Sequence, residues 1–163
     1  MFRARLDAVR LVVARLFAAS STVLVAFAIA APVLESMRVP AAQPIYRLLS
    51  FVCHQIPSRS PMILGSNAGL CFRCLALYTA LAVGTLLPLD IVTRRLGRIF
   101  KGLPHLLVNH STVVVAGLFI LFLLIDGLLP MLGWPPSTNP RRVVTGLLGG
   151  WGVASLLLVY RGR

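Results

Sequence analysis

The chain has little charge, and very little of that charge is negative. Of its 163 residues 12% are charged, and Asp and Glu together number four against sixteen Lys and Arg, a formal net charge of +12. An ordinary soluble domain carries about a quarter charged residues, and a disordered chain is poor in apolar side chains. With 58% hydrophobic residues this chain fits neither description. A nucleic-acid-binding domain displays its basic residues on a polar face, whereas here they punctuate long apolar runs. The composition therefore argues against nucleic acid as a partner and for the lipid bilayer as the surroundings. Acidic and methionine residues are also too few to form a continuous row through those runs, which favours a fixed site over a transport path. Cysteine is scarce as well: Cys53, Cys71 and Cys74 are the whole complement.

A helix that crosses a bilayer needs about 20 mostly apolar residues. Four stretches reach that length, at about 16–34, 70–89, 112–132 and 143–160. They predict an all-α fold, an integral membrane four-helix bundle forming a single transmembrane domain over residues 1–163, with 35–69 as its one long connection. The first span shares a basic flank and an Ala28-Ile29-Ala30 site with secretory signal peptides. Its apolar stretch exceeds their usual length of about 7–15 residues, so a retained helix is the better reading.

Basic residues are held on the cytoplasmic side of a membrane. With the N-terminus inside, Arg3, Arg5, Arg10, Arg15, Arg94, Arg95, Arg98, Lys101, Arg161 and Arg163 fall on that side, ten of the sixteen. The expectation is a multi-pass cell-membrane protein with both termini cytoplasmic. Arg38, Arg47, Arg59, Arg73, Arg141 and Arg142 then lie outside, against the trend. Several adjoin or enter apolar spans, where an uncompensated charge costs about 2.5–3.5 kcal/mol. They need partners.

The chemically distinctive residues gather on this outer side. In the 35–69 connection Ile45 to Val52 reads as a short amphipathic helix lying at the interface, and it delivers Cys53-His54-Gln55-Ile56-Pro57-Ser58-Arg59-Ser60. After a turn containing Gly65, Ser66, Asn67 and Gly69, the second span begins with Cys71-Phe72-Arg73-Cys74. Cys53, His54, Cys71 and Cys74 make a candidate metal site, because zinc accepts Cys3His tetrahedra and a Cys-x-x-Cys pair has the bite that coordination requires. Soft ligands of this kind favour zinc or copper. Adjacent Cys53 and His54 diverge by about 100° on a helix and could share a metal only at a turn or a frayed end, which Pro57 favours.

The same atoms suit redox chemistry. A Cys-x-x-Cys pair at a helix N-terminus beside Arg73 favours a nucleophilic thiolate, as in a membrane thiol-disulfide oxidoreductase, with a quinone as the electron acceptor. A structural disulfide or inert buried thiols are the plain alternative. Asp126, inside the third span, should pair with Arg73 or Arg142. Arg59, Arg73 and Arg142, with Asn139, could instead hold an anionic small molecule or lipid head group through bidentate hydrogen bonds. Gly146 and Gly150 form a small-residue face that permits close helix packing and could join two copies of the chain. Tyr78 continues the Cys74 face, Glu35 reads as an interface charge, and Asp90 with Arg94 as a helical ion pair.

These blocks resemble a family of small multi-pass membrane proteins of bacteria and archaea catalogued as a domain of unknown function. Its pattern is Cys-His-Gln-x-Pro-x-Arg-Ser, then Cys-x-Arg-Cys followed by Tyr, then Asp-Gly, then Thr-Asn-x-x-Arg-x-x-Thr-Gly. Here these are residues 53–60, Cys71 to Cys74 with Tyr78, Asp126-Gly127, and residues 138–146. Ala76 and Pro130 stand where that family often has Gly and Gln. The resemblance implies a membrane location and marks the outer constellation as a shared feature. It implies no reaction.

Overall fold

The computed structural model describes residues 2–85 and 105–158, and these are mostly helical. Helix α1 (Phe2–Ser36) is followed by the short α2 (Ala42–Ser50), a 3-10 turn at Pro57–Arg59 and a two-stranded hairpin of β1 (Met62–Ile63) and β2 (Ser66–Asn67). Helix α3 (Phe72–Gly84), helix α4 (His105–Leu128), a 3-10 turn at Leu129–Leu132 and helix α5 (Asn139–Leu158) complete the order.

Each expected span contains a helix, with shifted ends. Arginines are good helix formers, so α1 and α5 run past their apolar stretches into the basic flanks. Pro130 cannot continue α4, and Gly133 closes the following turn at φ +81°, a left-handed conformation that suits glycine. The interfacial helix expected from Ile45 to Val52 lies three residues earlier at its start and ends at Ser50. The later part of the second expected span, the Arg94–Lys101 cluster and the Asp90–Arg94 pair lie outside the described residues, as do Tyr160, Arg161 and Arg163.

Among the described residues two helices are long and apolar enough to cross a membrane, over Leu11–Ser36 and Val113–Leu132. The core helix of a soluble protein would be mostly buried, yet only 22% and 11% of these two windows is covered by the rest of the chain. Their large apolar side chains, among them Leu16, Phe17, Leu118, Leu121 and Phe122, face outward. Inside, α5 packs against α3 on one side and α4 on the other. Small residues make both approaches possible: a Cβ on Gly146 would lie 2.5 Å from the Arg73 carbonyl oxygen, and one on Gly149 would lie 2.5 Å from Leu123 Cδ2. The Gly146/Gly150 face considered for contact with a second copy is thus filled by α3 of the same chain.

One join between distant segments follows from a proline. Pro32 lies inside α1 and lacks an N–H, so the Ala28 carbonyl four residues earlier has no donor from its own helix. The Gly69 N–H donates to it at 3.0 Å. The approach needs glycine, because a Cβ there would lie 2.3 Å from Leu49 Cδ1 and 3.3 Å from Ala28 Cα. This bond brings the hairpin and the start of α3 against α1, around a small core of Ala28, Leu49, Cys53 and Leu70.

Tyr46 and Glu35 close the other side of this connection. The Tyr46 hydroxyl lies 2.7 Å from the Asn67 carbonyl oxygen and 3.1 Å from Glu35 Oε2, so Glu35 is a hydrogen-bond acceptor rather than a free interface charge. Burial first, and then the Glu35 hydrogen bond, push the Tyr46 phenol up from 10 to about 12. Because the folded value is raised, this contribution to stability is fully present below about pH 10 and is lost as pH rises through about 12. An ultraviolet titration of the chain against Tyr46→Phe should show the missing phenolate signal appearing near pH 12; a midpoint near 10 would contradict the contact.

Candidate functional site

The connection 37–71, the start of α3, the end of α4 and the start of α5 meet at one end of the helices. Cys53 follows α2, and its N–H bonds the Leu49 carbonyl at 3.0 Å, which extends the helical turn and buries the thiol. Cys71 caps the N-terminus of α3 in extended geometry, and Cys74 lies in the first turn of that helix. The Cys71 N–H donates to Cys53 Sγ at 3.3 Å. All three sulfurs lie within 4.8 Å of one another, and all three cysteines are free. Tyr78 is packed against this core.

His54 is not brought into the group. It is exposed, and its ring nitrogens are not among the ligand atoms that converge within 4.8 Å. The chain turns sharply here: Gln55 takes a left-handed φ of +50°, and its side-chain amide donates to the Tyr46 carbonyl at 2.8 Å and the Gly69 carbonyl at 3.0 Å. Gln55 thereby ties α2 to the segment entering α3 and sets Cys53 against Cys71. Its place in the Cys-His-Gln block is the only trace of this role in the sequence.

Asp126 is 1% exposed and lies at the centre of a charged cluster. Arg73 Nη2 donates to Asp126 Oδ2, to the Asp126 carbonyl at 3.1 Å and to Ser137 Oγ at 3.1 Å. Thr145 Oγ1 donates to Oδ2 at 3.1 Å. The second cation is Arg141, whose Nε is 2.7 Å from Oδ1, a charge contact without hydrogen-bond alignment. Arg142, the other partner expected from sequence, instead donates to Asn139 Oδ1 at 2.8 Å. Adjacent helical residues point about 100° apart, so Arg141 and Arg142 cannot both face the carboxylate. Asn139 also reaches the Ser58 carbonyl at 3.3 Å, joining α5 to the 57–59 turn.

A cavity of about 270 Å³ adjoins the sulfurs. The three cysteines line it together with Arg59, Arg73 and Arg142, and Val52, Ile56, His54 and Gln55 complete its wall. Arg142 is 7% exposed, and Arg73 Nε is buried with no hydrogen-bond partner among the described residues. A triad of soft ligands and three guanidiniums therefore share one space. Sequence reasoning identified both sets. Arg141 stood among the outer arginines in need of a partner but was not paired with Asp126, and Ser137 and Thr145 were given no part in the cluster, although Thr145 lies within the Thr-Asn-x-x-Arg-x-x-Thr-Gly block.

A family model described as predicted membrane protein (DUF2085) matches residues 53–156, an interval that contains every cysteine and arginine of the cavity. An uncharacterised protein of Methanocaldococcus jannaschii is 28% identical over 114 residues, covering 70% of this chain and 66% of the relative. An uncharacterised protein of Methanothermobacter thermautotrophicus is 27% identical over 115 residues, covering 68% of this chain and 88% of the relative. No solved structure matches.

Proposed function

The chain belongs to this family of membrane proteins, and from that premise we propose that it is a four-helix protein of the cell membrane that holds a zinc or copper ion between Cys53, Cys71 and Cys74. The observation that carries the metal reading is the mutual approach of three sulfurs within 4.8 Å. A Zn–S distance of about 2.3 Å places tetrahedral neighbours roughly 3.8 Å apart, so a small inward movement suffices. Soft thiolates select zinc or copper over hard cations. The Cys71 N–H on Cys53 Sγ and the N-terminus of α3 both favour negative charge at the sulfurs, and the nearby arginines offset it.

With three protein ligands the fourth position is open, and here it would face the cavity. A metal in such a site supplies Lewis acidity to whatever occupies that position. His54 lines the same cavity at its exposed side and is not one of the converging ligands. The two long apolar helices with outward-facing side chains support the membrane reading, and α3 and α5 complete the proposed bundle. The count of basic residues supports cytoplasmic termini, which puts the site on the extracytoplasmic side.

Elemental analysis of the full chain purified without added metal is the test. About one metal per chain, lost in Cys53→Ser, Cys71→Ser and Cys74→Ser, is expected. Under about 0.2 metal per chain, with three freely titrating thiols, would contradict it. A second reading, thiol-disulfide exchange, is favoured by the same proximity of three free thiols: two thiols would close to a disulfide and pass two protons and two electrons to a quinone. Alkylation mass shifts with and without reductant decide it, since three thiols that are always free contradict that reading.

A further inference from the structure

The cavity beside the cysteines has an excess of positive charge that the described residues do not compensate. Four guanidiniums, those of Arg59, Arg73, Arg141 and Arg142, stand around it and the adjoining cluster, and Asp126 is the one carboxylate among them. Arg73 and Arg141 already share that carboxylate. Arg59 has no ion-pair partner among the described residues, and Arg142 has only the neutral amide of Asn139. With the thiols protonated, three positive charges are left over. Three thiolates and a divalent metal together lower that excess by only one.

An arginine as buried as Arg142, at 7% exposure, is costly to leave without a counter-charge. Its remaining donors and those of Arg59 face a space large enough for a small anion, walled on one side by Val52 and Ile56. Guanidinium forks match the oxygens of phosphate bidentately.

We propose that this cavity binds an oxyanion of the phosphate class, held by Arg59 and Arg142 with Arg73 fixed beside them by Asp126. The anion adjoins the open side of the cysteine triad. The assignment rests on the arginines and not on the metal reading. Free phosphate and the phosphodiester of an anionic lipid offer the same chemistry, and the two are separated by experiment. Arg59 is the decisive position, because its side chain lines the cavity but makes no hydrogen bond or ion pair within the described residues; its backbone N–H, which donates to the Ile56 carbonyl at 2.9 Å, is untouched by a side-chain substitution.

The full chain is tested in two arms. In detergent, inorganic phosphate is titrated and followed by phosphorus NMR line broadening. In nanodiscs of mixed phosphatidylcholine and phosphatidylglycerol, the lipid retained after extraction is identified by native mass spectrometry. Arg59→Gln and Arg142→Gln should each weaken binding by about 10- to 100-fold, as expected for the loss of charge-assisted hydrogen bonds. The triple Cys53→Ser, Cys71→Ser, Cys74→Ser variant should lose metal but retain the anion. Binding in the first arm identifies a soluble phosphate ligand, and selective retention in the second alone identifies a lipid head group. No selective binding in either arm, binding unchanged in Arg59→Gln, or loss of the anion in the folded triple variant would overturn the proposal. If Arg142→Gln does not fold, Arg59→Gln alone decides.

Discussion

Asp126→Asn is expected to destabilise the folded chain by about 3–5 kcal/mol, the usual cost of leaving a buried charge without its partner. The amide keeps the shape of the carboxylate, so packing is preserved and only the charge is removed. Arg73, whose guanidinium is committed to Asp126 and Ser137, bears most of the loss. Arg141 is 49% exposed and its contact is screened by solvent, so it contributes little. The double variant Arg73→Met with Asp126→Leu should recover part of the stability, since a buried pair replaced by apolar groups is often tolerated. Thermal unfolding in detergent checks both variants. A loss below about 1 kcal/mol in Asp126→Asn would contradict the buried position of Asp126 and its pairing with Arg73.

Gly146→Ala carries the second large effect. Its Cβ would lie 2.5 Å from the Arg73 carbonyl oxygen and 3.0 Å from Ala76 Cβ, and a backbone atom cannot rotate away. Helices α3 and α5 must separate at the turn that holds Arg73, Cys74 and Arg142 in register. Overpacking of this kind costs about 1–3 kcal/mol, and it should weaken metal retention together with stability. Gly117→Ala is the control: nothing lies within 4 Å of its added Cβ, so it should be neutral or slightly stabilising. Equal midpoints for the two variants in a melting experiment would contradict the close α3–α5 contact.

The parts of this account that were legible in the sequence are those written in residue type. Cys53, Cys71 and Cys74 announce soft-ligand chemistry by identity and spacing, and an aspartate inside an apolar run demands a cation, so Arg73 was named, together with Arg142, as its partner from position along the chain. The apolar runs located a helix in each expected span. What escaped was direction. Whether Arg141 or Arg142 turns to Asp126 depends on the rotational phase of α5, and two adjacent arginines read identically in sequence. His54 was grouped with the cysteines because it neighbours one of them, but adjacent side chains point in different directions, and while the Cys53 thiol is buried His54 is exposed. The bond from Gly69 to Ala28 joins backbone groups 41 positions apart and leaves no periodic pattern to read. Its only sign was Pro32, a missing donor whose replacement could come from anywhere in the fold.

The excess of positive charge has likewise acquired a location. In the proposed orientation ten of the sixteen basic residues fall on the cytoplasmic side. Of the remaining six, Arg59, Arg73 and Arg142 line one cavity and Arg141 shares Asp126 with Arg73.

The central claim is that three sulfurs hold one metal with the fourth position open. X-ray absorption at the metal edge of the full chain, loaded with one equivalent of zinc, tests it most directly. The account predicts three sulfur neighbours at about 2.3 Å and one lighter oxygen or nitrogen neighbour near 2.0 Å, with the sulfur shell lost in Cys71→Ser. A first shell made only of oxygen and nitrogen, unchanged by that substitution, would contradict it.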